Sequence, residues 1–339
     1  MNKKILCALL LIFVMMILSF SGCKKEETLK LVKLNEVVHS IFYAPQYVAI
    51  ENKYFEEEGL KIDLSIGNGA DKSMTALISG NADIALMGAE ASVYVFNEGK
   101  ENYAMNFAQL TQRAGNFLVA REPIPDFNWE MVKGKTIVGG RLGGMPEMVL
   151  EYILKKNGIE PFVDTTIINN LDFSATAGAF SGGTGDYTVE FEPTASTLEQ
   201  AGDYYVVASL GVDSGLIPYT TYMALESYLD ENPDTVQKFT NAIYKGQIWV
   251  DQHTPAEIAK VIAPYFEGTD LELLTTIVKR YKDQDTWKVE PLFDENALVL
   301  LQDVLESSGQ LEKRVNYDDL VTTTFALKSL EQVDVSKVK

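Results

Sequence analysis

Lys61-Ile62-Asp63-Leu64-Ser65-Ile66, then Gly67-Asn68-Gly69, Asp71 to Ser79, Gly80-Asn81-Ala82-Asp83 and Ile84-Ala85-Leu86-Met87 form the stretch that decides the fold. The first segment reads as a strand, and Gly-Asn-Gly turns the chain. Met74, Leu77 and Ile78 space a short helix, and Ile84 to Met87 is an apolar run short enough for a buried strand. Working outward, Leu31 to Val38 reads as a strand. Ala44 to Glu58 has helical spacing and ends at Gly59. A helix over 89–97 and a strand over 105–110 follow, so the grammar predicts a parallel, doubly wound sheet.

A second α/β series begins near Arg121, after which Glu122-Pro123-Ile124-Pro125-Asp126 suits a crossover. Strands are expected at Thr136–Val138, Thr165–Ile168, Tyr187–Phe191 and Tyr204–Ala208. Helices are expected over 146–156, 173–180 and 192–199. From Tyr219 the chain is expected to return to the first unit, and beyond Ser227 it reads as mostly helical.

The 339 residues suit two domains or two lobes. Twenty-nine basic against 48 acidic side chains give a formal charge of −19, which disfavours a nucleic-acid partner. Two Cys and two His are too few for a disulfide framework or a structural zinc site, so no metal and no cofactor are expected.

Lys3 and Lys4 precede an apolar run from Ile5 to Phe20, the layout of a signal peptide. Ser21-Gly22-Cys23 resembles the bacterial lipobox, with Phe20 departing from its usual Leu. That resemblance implies cleavage after residue 22, lipidation of Cys23, a tether over 23–30, and a protein anchored outside the membrane by acyl chains. An ordinary signal anchor, or a cleaved signal with an incidental Cys, is the other reading.

Several segments together resemble a known family: Ser40-x-x-Tyr43-Ala44-Pro45-x-Tyr47-x-Ala49, Tyr54-Phe55-x-x-x-Gly59-Leu60, Ala76-Leu77-Ile78-Ser79-Gly80-x-Ala82-Asp83-Ile84 and Gly88. Ala179-Phe180, Gly185-Asp186-Tyr187 and Glu192-Pro193 continue the pattern. The family is the substrate-binding proteins of ABC importers of the nitrate, sulfonate, taurine and thiamine-pyrimidine class. The resemblance implies a two-lobed periplasmic-binding-protein-like α/β fold with two crossover segments and a helical C-terminal tail. Lobe 1 would comprise 31–121 and 218–339, and lobe 2 would comprise 122–217. It also implies a small-molecule ligand in the inter-lobe cleft, ABC permease subunits as partners, a monomer, and a place on the outer face of the cell membrane or in the periplasm.

Ligands of open α/β sheets bind beyond the carboxyl ends of strands, so the candidates lie in those loops. His39 is a donor or stacking residue, or a solvent-facing loop His. Tyr43 offers a ring face and a hydroxyl, or packs in the core. Asn68, Gly69 and Gly88 allow close backbone approach, or are plain turns. Glu90 accepts from a ligand amino group, or complements its helix dipole. Gly144 and Glu147 open the helix after the Thr136–Val138 strand, and Glu190 and Glu192 end the Tyr187–Phe191 strand. Thr111 and Tyr219 lie near the outgoing and returning crossovers.

The set is rich in Glu and Tyr and poor in Arg and Lys, and a buried carboxylate beside an anion is costly. That favours a neutral or cationic amino-heteroaromatic, such as a thiamine pyrimidine precursor, over a sulfonate, taurine or nitrate. Resemblance to pyrimidine-synthase enzymes is the remaining alternative. Only His39 and His253 offer an imidazole base, so binding without chemistry is expected.

Overall fold

The computed structural model describes residues 28–339, so the expected signal peptide, the expected lipidation site at Cys23 and most of the expected tether lie outside the described residues. Two five-stranded sheets carry the chain, in the orders β2-β1-β3-β10-β4 and β7-β6-β8-β5-β9. The first lobe opens with β1 (Lys30–Glu36), α1 (Ala44–Glu51), β2 (Leu60–Ile66), α2 (Ala70–Ile78), β3 (Ile84–Met87), α3 (Glu90–Asn97) and β4 (Ala104–Thr111). β1 runs parallel to both β2 and β3. β3 is buried along its whole length, as a central parallel strand should be. The helix expected over 44–58 is broken: Lys53 adopts φ 63°, and a separate turn, Tyr54–Glu57, follows.

The second lobe contains β5 (Asn116–Ala120), β6 (Thr136–Val138), α4 (Met145–Lys156), β7 (Thr166–Ile168), α5 (Phe173–Ser181), β8 (Tyr187–Phe191), α6 (Thr194–Gln200) and β9 (Tyr205–Ser209). β5 pairs antiparallel with both β8 and β9. Asn116–Ala120, expected within the first lobe, is therefore a central strand of the second sheet. The chain changes sheets over residues 112–115.

The return runs through β10 (Thr220–Leu225), which inserts antiparallel between β3 and β4. The sheet expected to be all parallel is thus mixed, because a strand arriving from the other lobe enters in the opposite direction. The two crossings are zipped together where Thr111 Oγ1 meets Thr220 Oγ1 at 2.7 Å and accepts from Thr220 N at 3.0 Å.

Helices α7 (Pro233–Gln252), α8 (Pro255–Ile262), α9 (Leu271–Asp283) and α10 (Glu295–Ser307) form most of the tail. α7 packs on α1, and α8 starts in a capping box between Thr254 and Glu257. The tail does not stay on the first lobe. α10 packs against α4, and Lys155 donates to the Ser307 carbonyl. α9 lies along the hinge, where Tyr281 Oη donates to Gly115 O at 2.9 Å and Gln284 Nε2 to Ala114 O at 3.0 Å.

Candidate ligand site between the lobes

The site is organised around Phe42, in the one-turn helix Ile41–Tyr43 that follows β1. Ser40 caps that turn: its hydroxyl accepts from Phe42 N at 3.2 Å and donates across the lobes to Glu192 O at 3.3 Å. Trp287 Nε1 fixes the Phe42 carbonyl at 2.8 Å. The Phe42 ring lies 5.6 Å from Tyr43, 5.9 Å from Phe191, 5.6 Å from Tyr219 and 5.4 Å from Tyr281, centroid to centroid. A Cβ on Gly115 would come within 2.5 Å of this ring, so the crossover needs glycine there. First lobe, second lobe and return crossover thus each place an aromatic wall around one point.

Polar groups without protein partners surround this aromatic frame. Glu90, on the first turn of α3, is 5% exposed, and its Oε2 has no hydrogen-bond partner. Burial pushes its carboxyl up to about 7, against a backbone N–H at its own helix start that favours the charged form. The carboxyl folds back over Gly88, where any Cβ would lie 2.0 Å from an oxygen. The hydroxyl of Tyr219 is buried without a partner. So are both polar atoms of Asn116, the first residue of β5. Burial raises the hydroxyl pKa of Tyr43 and of Tyr219 well above the usual phenol value. After burial, the charge of Glu90 raises both further, as that of Glu36 does for Tyr43.

Strand parity explains which expected residues share the side of this ring cluster, the candidate ligand chamber. Asn116 is in register with Phe191, so the two share a face of the second sheet. Glu190, next to Phe191 on β8, points to the opposite face, and Glu192 lies just past the strand's end. Glu190 accepts from Thr188 at 2.7 Å and from Thr176 of α5 at 3.1 Å, and burial lifts its carboxyl to about 7. Glu192 accepts from Ser196 N at 2.9 Å, Ser196 Oγ at 2.8 Å and Arg280 at 2.6 Å. Both carboxyls are engaged in holding helices, not aimed at the Phe42 chamber.

Glu147 is buried at the start of α4, accepting from Gly143 N at 3.3 Å and Asn169 Nδ2 at 2.9 Å. Its neighbour Glu151 is raised to about 8, by burial first and then by a hydrogen bond to Glu147. Tyr94 of α3 donates to Met148 Sδ at 3.5 Å across the lobes. The charges of Glu90 and Glu147 both raise its hydroxyl pKa, after burial. Gly144 caps α4 on the same side.

His39 is committed elsewhere. Its Nδ1 lies 2.9 Å from both Glu36 and Tyr47, its Nε2 lies 2.7 Å from Tyr265 O, and its ring stacks on Phe266. The Glu36 hydrogen bond raises its pKa. Thr111 is spent on the crossover zipper. Asn68 is exposed, at φ 57°, and Gly69 N donates to Val37 O at 3.1 Å. Both sit at the rim, where Arg141 of the second lobe meets Asp71 of the first at 3.6 Å.

The sequence reading missed Phe42, Asn116, Phe191 and Arg141. A surface cavity of about 510 Å³ lies away from the chamber, between Tyr54, Glu58, Asn241 and Lys245, and its lysine is already paired with Glu57 and Glu58. Among the described residues no group of three or more His, Cys, Asp or Glu side chains is placed to hold a metal. Among them, too, no helix is long and apolar enough to cross a membrane.

Comparison with known proteins bears on this architecture directly. The family model described as NMT1/THI5 like matches residues 41–257. "Putative binding protein YtlA" of Bacillus subtilis (strain 168) is 48% identical over 315 residues, covering 93% of this chain and 94% of that one. The chain belongs to the NMT1/THI5-like family. Among solved structures, this NMT1/THI5-like chain is similar to the periplasmic nitrate-binding protein NrtA from Synechocystis PCC 6803, with TM-score 0.74, 15% identity and coverage of 92% and 91% of the two chains. It is also similar to the periplasmic aliphatic sulphonate binding protein SsuA from Escherichia coli, with TM-score 0.69, 16% identity and coverage of 86% and 97%. At such identities these are likenesses of fold, and they establish the two-lobed periplasmic-binding-protein architecture.

Proposed function

We propose that this protein is the solute-binding component of an ABC importer, and that it captures a small amino-heteroaromatic molecule, of the thiamine pyrimidine precursor kind, between its lobes. It passes that molecule to permease subunits without changing it. The protein works as a monomer held at the outer face of the membrane through lipidated Cys23.

Two observations carry this reading: the buried, unpartnered Oε2 of Glu90 on the helix that follows β3, and the ring cluster of Phe42, Tyr43, Phe191 and Tyr219 between the lobes. A carboxyl poised near neutrality offers an acceptor when charged and a donor when protonated, both useful to a ring amine or ring nitrogen. An anion beside it would force it to stay protonated. Of the carboxyls expected to line the cleft, Glu192 is paired with Arg280, Glu190 is held by Thr188 and Thr176, and Glu147 accepts from Gly143 N and Asn169, so the electrostatic argument rests on Glu90. An enzymatic role finds little support: His39 is locked against Glu36, and His253 stacks on Trp249 at 3.7 Å.

Likeness of fold to nitrate- and sulphonate-binding proteins favours a second reading, capture of a small oxyanion. A thermal-shift panel separates the two. Ligand at about a hundred times its dissociation constant adds about 2.7 kcal/mol of stability. A shift with the hydroxymethyl-aminopyrimidine precursor of thiamine supports the first reading. A shift only with taurine, alkyl sulfonates or nitrate overturns it.

A further inference from the structure

The buried asparagines of this fold differ in how far they are satisfied: Asn35 leaves only its Oδ1 without a partner. Asn106, fully buried, donates to Ser92 Oγ at 2.9 Å and Leu320 O at 3.0 Å and accepts from Thr221 Oγ1 at 2.6 Å. Asn116 lies at the other extreme. It is fully buried, yet neither Oδ1 nor Nδ2 has a partner. An unpaired buried amide is destabilising, and with both of its polar atoms free Asn116 calls for a partner from outside the chain. Its position says where that partner sits. Asn116 follows Gly115, against which the Phe42 ring packs, and it is in register with Phe191, whose ring lies 6.2 Å from that of Tyr219.

We infer that Asn116 is a ligand-recognition residue, and that its ligand presents a hydrogen-bond donor and acceptor side by side on one ring edge. A primary amide carries one donor and one acceptor group on the same plane, and it pairs two-fold with an amino group next to a ring nitrogen, as asparagine does with adenine. Because the amide can turn over, it accepts either order of donor and acceptor. Glu90 and Tyr219 then serve the remaining polar positions of the same ring. This inference rests on the proposed reading of the chamber as the binding site, and it narrows the ligand from a heteroaromatic amine to one with that edge.

The test is calorimetric titration of the wild type and of Asn116→Leu with two probes: the hydroxymethyl-aminopyrimidine, and an aminobenzene of similar size that lacks ring nitrogens. Two hydrogen bonds predict a loss of about tenfold or more for the aminopyrimidine in Asn116→Leu, with little change for the aminobenzene. The ligand-free melting midpoint of Asn116→Leu should equal or exceed that of the wild type, since an unpaired polar group has been removed. Unchanged aminopyrimidine affinity in the folded variant overturns the inference. So does a lowered midpoint with equal loss for both probes, which marks a structural residue. Should Asn116→Leu fail to fold, Asn116→Asp keeps the size and removes the donor, and it must show the same selective loss. If the wild type binds no aminopyrimidine, the reading of the chamber itself fails, an outcome distinct from the other two.

Discussion

Arg280 grips Glu192 at 2.6 Å and, with its other terminal nitrogen, Glu199 at 2.5 Å. One guanidinium on α9 therefore fastens the end of β8 and the body of α6 to the hinge. Glu192 is fully buried and spends its remaining acceptor capacity on Ser196. A carboxylate held in this way supports the second lobe and is not free to meet a ligand.

Glu192→Gln should accordingly destabilise the protein by about 2 kcal/mol, since it leaves a half-buried cation short of one partner. Ligand affinity should stay within about twofold in the same variant. Urea denaturation and calorimetric titration read the two effects separately.

Burial holds Glu190 near 7 in the folded state, against 4.5 for a free carboxyl. The folded protein then binds the proton more tightly than the unfolded chain. The associated stability is present in full below about 4.5, falls as pH rises, and is gone above about 7. The span corresponds to about 3 kcal/mol. Glu190→Gln should flatten that part of the pH profile of the urea midpoint, and an unchanged slope would contradict the assignment.

Asp71 and Arg141 face each other across the mouth of the cleft, both substantially exposed. An exposed pair contributes at most about 1 kcal/mol and is screened by salt. Arg141→Ala should therefore speed ligand release by about two- to fivefold at low ionic strength, with no difference at high salt. Stopped-flow dissociation at two salt concentrations measures this.

Tyr219 carries a buried hydroxyl with no protein partner. Tyr219→Phe removes a group the ligand-free fold does not use. Its melting midpoint without ligand should match or exceed the wild type, while affinity falls by about three- to tenfold. A lower midpoint with unchanged affinity would place Tyr219 in the scaffold.

The α/β order and the return near Tyr219 were legible because period and turn signals are local. Two features were not. Asn116–Ala120 is five residues long and abuts β4 with only a four-residue link, so nothing in its pattern announces a change of sheet. The direction of β10 depends on which lobe the chain arrives from, a non-local fact. The site was partly legible for the same reason. Tyr43, Glu90 and Tyr219 follow or precede strands, and position alone made them candidates. Alternation along β8 turns Glu190 away from Phe191, and a sequence does not say which face of a strand meets the cleft; Glu192, past the strand's end, is held by Arg280 and Ser196, 88 and four residues away. His39 is held on one side by the nearby Glu36 and Tyr47 and on the other by the Tyr265 carbonyl, 226 residues distant, and that second partner no local pattern could reveal.

The measurement that bears most directly on the account is calorimetric titration of the hydroxymethyl-aminopyrimidine into the wild-type protein and into Glu90→Ala near neutral pH. The account predicts one-to-one saturable binding to the wild type and its loss in a Glu90→Ala protein that remains folded. Equal affinity in the two proteins, or binding of taurine or nitrate in place of the aminopyrimidine, would contradict it.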